Sequence, residues 1–279
     1  MITSGTVQDF LQTLREEEKS EATLEKYERD IRKFLAFLNS YPVTKDRVIE
    51  YKQHLTQNYA SASVNSMLIP VNRFLSYLGL HDCTVKTMKI QRSAFRSTEK
   101  ELTKGEYLRL VKAAMTQGNE RLALLLQTFA CTGIRVSELP FITVEAVEKG
   151  VTTVTLKGKT REVFLPDELC RKLKRYASER KLREGSIFVT KNGRPLNRGN
   201  ILKEMKRLSP LAKVDSEKVF PHNFRHLFAC QFYEHTKDVV RLADVLGHSS
   251  INTTRIYTKV SMKEQGKEIN RLGLIIRTK

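Results

Sequence analysis

The 279-residue sequence is short of acidic side chains and of cysteine, and it has no long apolar run. Its 31 aspartates and glutamates face 49 lysines and arginines, giving a formal charge of +18 and a pI near 9.8. A chain so far from neutrality attracts polyanions through a sequence-independent electrostatic effect, which makes nucleic acid the expected partner. The excess is uneven: up to Arg96 there are 14 basic against 11 acidic residues, net +3, and from Ser97 to Lys279 there are 35 against 20, net +15. Cys83, Cys131, Cys170 and Cys230 stand singly without C-x-x-C spacing, which argues against a disulfide framework and a cysteine zinc site. Small core residues are the expected role for all four. The longest apolar stretches, such as "RLALLLQTFACTG", fall short of the roughly 18 residues of a membrane span, and the amino terminus lacks a basic and apolar signal pattern. The expectation is a soluble, cytoplasmic protein with no membrane partner. Internal repeats and low-complexity tracts are absent too, and 40% hydrophobic content suffices for one large domain or two smaller ones.

Apolar periodicity divides the chain. Val7, Phe10, Leu11 and Leu14 form one helical stripe, and after Ser20, a candidate N-cap, Leu24, Tyr27, Ile31, Phe34, Leu35 and Leu38 recur at about 3.6-residue spacing. Thr44 is placed to cap a third helix through Val48, Tyr51 and Leu55. Ser61 or Ser63 is placed to cap a fourth, with Val64, Leu68, Val71, Phe74 and Leu75 on its apolar face and Pro70 as a kink. From Cys83 to Lys100 the periodicity fades into a polar, basic segment, read as an interdomain linker that either lies along DNA or is simply solvated. Thr103 and Glu106 then have capping-box spacing, and Gly133 is placed to close the buried helix before it. "VTTVTL" and "TREVFL" flank "KGK" as a hairpin with Gly158 near its tip, "SIFVT" reads as a further short strand, and everything after Asn197 reads as helical. The expected fold is mainly α (α+β): a helical domain over 1–82, a linker over 83–100, and a mostly helical domain with a small antiparallel sheet over 101–279.

The stretch "PHNFRHLFA" raises the question of chemistry. On a helix His222 shares a face with Arg225 and with His226, so it is either half of a metal pair with His226 or, with Arg225, a donor pair aimed at an anion. A zinc helix of the H-E-x-x-H type needs a glutamate beside the first histidine. Position 223 is Asn223, and no downstream carboxylate stands out as a third ligand. Elsewhere Arg135 follows a glycine-capped helix in "TGIRVSEL", His248 follows Gly247 in "LGHSS", and Tyr257 lies nine residues further on in "INTTRIYTKV".

In that order and spacing these residues resemble the tyrosine recombinases, or phage-type integrases, with the shorter Xer-like members closest. The resemblance rests on Arg135 in "RVSEL", Lys157 in "TLKGKTREVFL", His222 and Arg225 in "HNFRH", His248 in "LGHSS" and Tyr257 in "RIYTKV", and it covers nearly the whole chain. The hairpin departs from the family's usual pattern, being one residue shorter and carrying Phe164 in place of a proline. Aligning Arg161 with the family's arginine selects Lys157, with Lys159 as the alternative. The resemblance implies that 1–82 is a core-binding (SAM-like) DNA-binding domain and that 101–279 is catalytic and ends in an interaction tail. It implies a site-specific recombinase acting on double-stranded DNA as a synaptic tetramer, without metal, cofactor or ATP.

The implied roles suit the residue types. Arg135 and Arg225 would grip the non-bridging phosphate oxygens in bidentate fashion, and His222 and His248 would complete the cradle. Tyr257 would attack phosphorus to form a 3′-phosphotyrosine, and the hairpin lysine would protonate the departing 5′-oxygen. His222 either hydrogen-bonds the phosphate or helps to deprotonate the tyrosine. A free phenol has a pKa of about 10, which the two arginines are expected to lower. His226 is expected as a supporting residue. Glu138 either orients neighbouring donors or makes a structural salt bridge. Leu272, Leu274, Ile275 and Ile276 in the basic tail would pack into a neighbouring protomer or dock on their own domain. Competing functions are a type IB topoisomerase-like relaxing enzyme and a catalytically inactive DNA-binding protein. The absence of an arm-binding domain favours Xer-like resolution or a small mobile-element integrase. The target sequence, and any second recombinase or accessory protein, stay unread, since phosphate contacts carry no sequence information.

Overall fold

The computed structural model describes residues 4–90, 100–156, 158–190, 192–248, 250–257 and 270–271. The chain separates into two compact units, Met1–Arg92 and Ser93–Lys279.

In the first unit the periodic stripes become four helices: α1 (Ser4–Glu16), α2 (Glu21–Leu38), α3 (Lys45–Asn58) and α4 (Ser61–Tyr77). Val7, Phe10, Leu11 and Leu14 of α1 pack on Leu24 and Ile31 of α2 and on Phe74 of α4. Phe34, Tyr51, Leu55, Val64 and Leu68 form the adjoining core. Thr44 caps α3 by accepting from the Arg47 N–H. Two other expected caps are absent. Ser20 stands at the N-cap of α2 but bonds the Thr23 hydroxyl instead, and α4 begins after Ala60, not at a capping Ser61 or Ser63. Both helices are held by their apolar faces, whose burial outweighs a missing cap worth about 1 kcal/mol.

The first part of the segment read as an interdomain linker is fastened to this unit. Asn72 exchanges two hydrogen bonds with the backbone of Val85 (2.9 and 2.7 Å), and Asn65 does the same with Met88 (2.7 and 2.8 Å). Lys52 donates to the Lys86 carbonyl at 2.8 Å, and Lys45 to that of Thr84. The spacing explains the fit: seven helical residues rise about 10.5 Å, close to the roughly 10 Å that three extended residues cover.

The second unit is built around α6 (Glu120–Thr132), which is buried nearly all round through Leu122, Ala123, Leu125, Leu126 and Phe129. Against it lie α5 (Lys104–Thr116), opened by the Thr103–Glu106 capping box, and later helices of the chain. After α7 (Val144–Lys149) come strands β1 (Val151–Leu156) and β2 (Lys159–Phe164), antiparallel with Val154 opposite Arg161 and Leu156 opposite Lys159. Alternation buries Val154 and Val163 and leaves Phe164 71% exposed.

"SIFVT" does not form a strand. Ser186 and Val189 make only isolated bridges, and the consecutive residues Ile187 and Phe188 are both buried, which a half-buried strand cannot achieve. Among the described residues, α-helices follow at α8 (Asp167–Glu179), α9 (Arg198–Arg207), α10 (Ser209–Ala212), α11 (Pro221–Thr236), α12 (Val239–Leu246) and α13 (Ile251–Thr254). Of the cysteines only Cys170 and Cys230 are buried; Cys83 is half-buried and Cys131 exposed, so the core role holds for two of the four. No helix among the described residues is long and apolar enough to cross a membrane.

Candidate active site

Two helix ends and one helix start converge in the second unit. Helix α6 stops at Gly133, which takes φ +63°, and Arg135 follows in extended backbone at the head of the 3-10 turn Val136–Phe141. Helix α12 stops in the same way at Gly247, placing His248 just beyond. Helix α11 starts with Pro221 at its first turn and carries His222, Arg225 and His226.

Arg225 is only 1% exposed. It donates from Nη1 to the Gly133 carbonyl at 2.5 Å and from Nη2 to the Leu246 carbonyl at 2.7 Å. Both acceptors are C-terminal carbonyls of helices, orphaned by the helix geometry and carrying the negative ends of the dipoles, so they suit a buried cation. A third donation, from Nη2 to His248 Nε2 at 3.1 Å, fixes the histidine's state. Because arginine has no acceptor, Nε2 must be bare and Nδ1–H must donate to the Thr254 hydroxyl at 2.9 Å. Desolvation, then the cations Arg225, Arg135 and Arg161, push His248 down to about 4, in keeping with a neutral ring. Burial and the neighbouring arginines lower Arg225 itself to about 10, which leaves it charged at neutral pH.

Glu138 joins two more arginines. Its carboxylate is 1% exposed and accepts from the Arg135 N–H (2.7 Å), from Arg135 Nη1 (2.8 Å) and from Arg161 Nη2 (2.6 Å). Burial alone would raise its pKa. The Arg135 backbone bond and the charges of Arg161 and Arg135 outweigh burial and hold the carboxyl below its usual range. The carboxylate thus stands between Arg135 and Arg161 and joins the two side chains. Arg161 was marked in the sequence only as an alignment point, and its contact with this carboxylate connects elements far apart in the chain. The side chain of Arg135 stays 40% exposed. With Arg198, Lys206, His222 and Arg225 it lines a cleft of about 470 Å³. Desolvation and the cations around His222, Arg225 first among them, lower the pKa of that histidine.

Tyr257 is 3% exposed and packs with Ala229, Cys230, Leu242 and Leu246. Its ring centroid lies 5.0 Å from that of His226 and 6.2 Å from that of His248, nearly parallel to the latter. His226 in turn pairs with Glu101 at 2.9 Å. The expectation of a lowered phenol pKa is overturned. Burial raises it, and Arg225, Arg135 and a hydrogen bond donated by Arg225 pull the other way without prevailing. Lys157 lies outside the described residues, as do the side chain of Lys159, residues 91–99 of the expected linker, and Leu272, Leu274, Ile275 and Ile276 of the tail. Among the described residues no group of three His, Cys, Asp or Glu side chains is arranged to hold a metal ion.

The arrangement therefore offers Arg135 and Arg161 held on the Glu138 carboxylate, Arg225 held on helix carbonyls, two histidines biased to the neutral form, and a buried phenol packed against His226. Fixed cations of this kind stabilise charge that builds on an oxyanion, and the neutral imidazole of His222 is able to accept a proton.

Comparison with known proteins is consistent over the length of the chain. The model of the phage integrase family matches residues 100–264, and that of the phage integrase N-terminal SAM-like domain matches residues 7–80. "Tyrosine recombinase XerA" of Pyrococcus furiosus is 28% identical, with 98% of this chain and 95% of that protein aligned. "Tyrosine recombinase XerD" of Vibrio cholerae is 27% identical, with 92% of each aligned. Among solved structures, XerH recombinase bound to palindromic difH substrate in a post-cleavage complex superposes with a TM-score of 0.73 at 20% identity, over 97% of this chain and 85% of that one. DNA-bound lambda integrase superposes with a TM-score of 0.72 at 18% identity, over 90% and 94%.

Proposed function

The chain is a tyrosine recombinase of the phage integrase family, and we propose that it cleaves and rejoins duplex DNA at a specific site through a 3′-phosphotyrosine formed on Tyr257. The observation that carries this reading is the placing of the Tyr257 ring beside His248 and His226 and against Arg225, itself locked by two helix C-terminal carbonyls.

In this reading Arg135 is the principal ligand of the scissile phosphate. Its exposed guanidinium keeps donors free of Glu138, whereas three of the five N–H groups of Arg225 are committed to Gly133, Leu246 and His248. His248 holds Arg225 in place, and His222, on the cleft and biased to the neutral form, receives the phenolic proton. The phenol attacks phosphorus, the P–O5′ bond breaks, and a lysine of the hairpin, Lys157 or Lys159, protonates the leaving oxygen. The phosphotyrosine conserves the bond energy, so a second 5′-hydroxyl can reverse the step without ATP. His226 supports the tyrosine ring from behind. Residues 1–82 and 101–279 both bind DNA, and the basic tail serves assembly into a tetramer on two duplexes. Relatives named XerA and XerD over nearly the full chain support the recombinase reading.

The test begins with selecting bound duplexes from a random library and nicking the best site so that cleavage traps the protein. The expected result is a covalent adduct with the wild type and none with Tyr257→Phe. The absence of an adduct on every selected site would leave a DNA-binding protein only. Rapid relaxation of a supercoiled plasmid lacking the site would favour a topoisomerase. Sedimentation of the DNA complex with and without Met262–Lys279 reads the tail's part in assembly, and equal stoichiometry would remove it.

A further inference from the structure

Arg161 sits on β2, four residues past Lys157 and two past Lys159, opposite Val154. It shares a strand face with the buried Val163, while Thr160, Glu162 and Phe164 lie on the exposed face, so the pleat turns the arginine inward. Its side chain is 12% exposed and reaches two other elements. Nη1 donates to the Val245 carbonyl at 2.6 Å, three residues before His248. Nη2 donates to Glu138 at 2.6 Å, and the other oxygen of that carboxylate holds Arg135 Nη1. The stem is gripped as well: a Cβ on Gly247 would stand 2.4 Å from Arg161 Cδ, so the chain leading to His248 closes directly on the arginine and only glycine fits. Nε–H is buried without a partner among the described residues, which marks the side chain as placed for its two outer nitrogens.

A two-stranded hairpin has little rigidity of its own, so its attitude is set by what it is fastened to. From these contacts we infer that Arg161 is a positioning residue: it holds the hairpin in register with the turn of Arg135 and the loop of His248, and proton delivery from the hairpin to the leaving oxygen depends on that hold. This rests on the function proposed above, in which that donor is a hairpin lysine. Only a planar fork spans both acceptors; a lysine at 161 reaches one of them.

Sulfur in place of the bridging O5′ separates aim from support. In normal cleavage Tyr257 Oη bonds to phosphorus, its proton passes to a base, and the P–O5′ electron pair leaves on an oxygen that takes a proton from the lysine ammonium. A 5′-thiolate leaves without that proton, so a fault in proton delivery is bypassed while a fault in folding or in the phosphate cradle is not.

Single-turnover adduct formation is measured with the full-length protein on the selected site, in oxygen and sulfur versions. Arg161→Met is expected to lose about 100-fold on oxygen, the scale of a general-acid contribution, and to come within about 3-fold of wild type on sulfur. Arg161→Lys should show the same pattern with a smaller loss, and it carries the comparison if thermal melting shows that Arg161→Met does not fold. Equal losses on both substrates overturn the inference and leave the function standing. A wild type that forms no adduct on either substrate removes the function, and the inference with it.

Discussion

Replacing Glu138 with glutamine keeps the outline of the side chain and removes its charge. Three N–H groups now point at the carboxylate, from the Arg135 backbone, Arg135 Nη1 and Arg161 Nη2, at 2.6 to 2.8 Å. Glutamine offers a single carbonyl oxygen and turns an amide NH₂ toward a donor, so at least one buried N–H loses its acceptor while the three arginines lose their counterion. Removing one partner of a buried ion pair costs about 3 to 5 kcal/mol. For a unit of this size, at about 2 to 4 °C per kcal/mol, the melting temperature should fall by about 10 °C. Circular dichroism of the full-length variant at pH 7 reads this directly. The pH dependence adds a second check. The folded carboxyl titrates below its ordinary range, so its stabilisation is fully present above the unfolded value of about 4.3 and is lost as the pH falls through the lower folded value. The gap between wild type and Glu138→Gln should therefore begin to narrow as the pH falls below the ordinary carboxyl range and close below the lower folded value, and added salt should leave it unchanged because the group is buried. A variant melting within about 2 °C of wild type at pH 7, or a gap that persists at low pH, refutes the reasoning.

Gly133→Ala should be strongly destabilising, since φ is +63° and a Cβ would stand 2.4 Å from the Phe228 ring, on the residue whose carbonyl anchors Arg225. Backbone strain of about 1 to 2 kcal/mol adds to an overpacking cost of about 1 to 3. Denaturant melts of a double-mutant cycle with Phe228→Leu should recover only the overpacking part, and additivity of the two changes would contradict the contact. His248 has a folded pKa near 4 against an ordinary 6.5, so the protein should lose stability as the pH falls from about 6.5 to about 4, where the unfolded chain takes the proton first. Melts across that range should show a shallower fall for His248→Gln, and identical slopes would place the cause elsewhere.

How much of this was legible in the chain follows from the kind of interaction involved. Local rules carried the stripe of α1, the Thr103–Glu106 box, the glycine stops at 133 and 247 and the tip of the hairpin, because each depends on a few neighbouring residues. The same rules failed at "SIFVT", where two adjacent apolar residues are buried by surroundings distant in sequence, and at Thr84–Met88, which is held by asparagine pairs with no apolar pattern to announce them. The phenol of Tyr257 makes the same point in electrostatics. Counting arginines nearby gives the wrong sign, because the burial that outweighs them is a property of the packed site.

By itself the sequence determined the chemistry on offer and its order along the chain: Arg135, His222, Arg225 and His248 near helix ends that glycine or proline marks, then Tyr257, in a chain basic enough to seek a polyanion. Only the tertiary structure decided how those groups are held. Arg225 is caged by the carbonyls of α6 and α12, His248 is bare at Nε2 because an arginine donates to it, and Glu138 ties Arg135 to Arg161 across elements that no periodicity links. The division has a physical origin. Backbone preference and side-chain type act over a few residues, whereas desolvation and the meeting of charges exist only once distant segments exclude the same water.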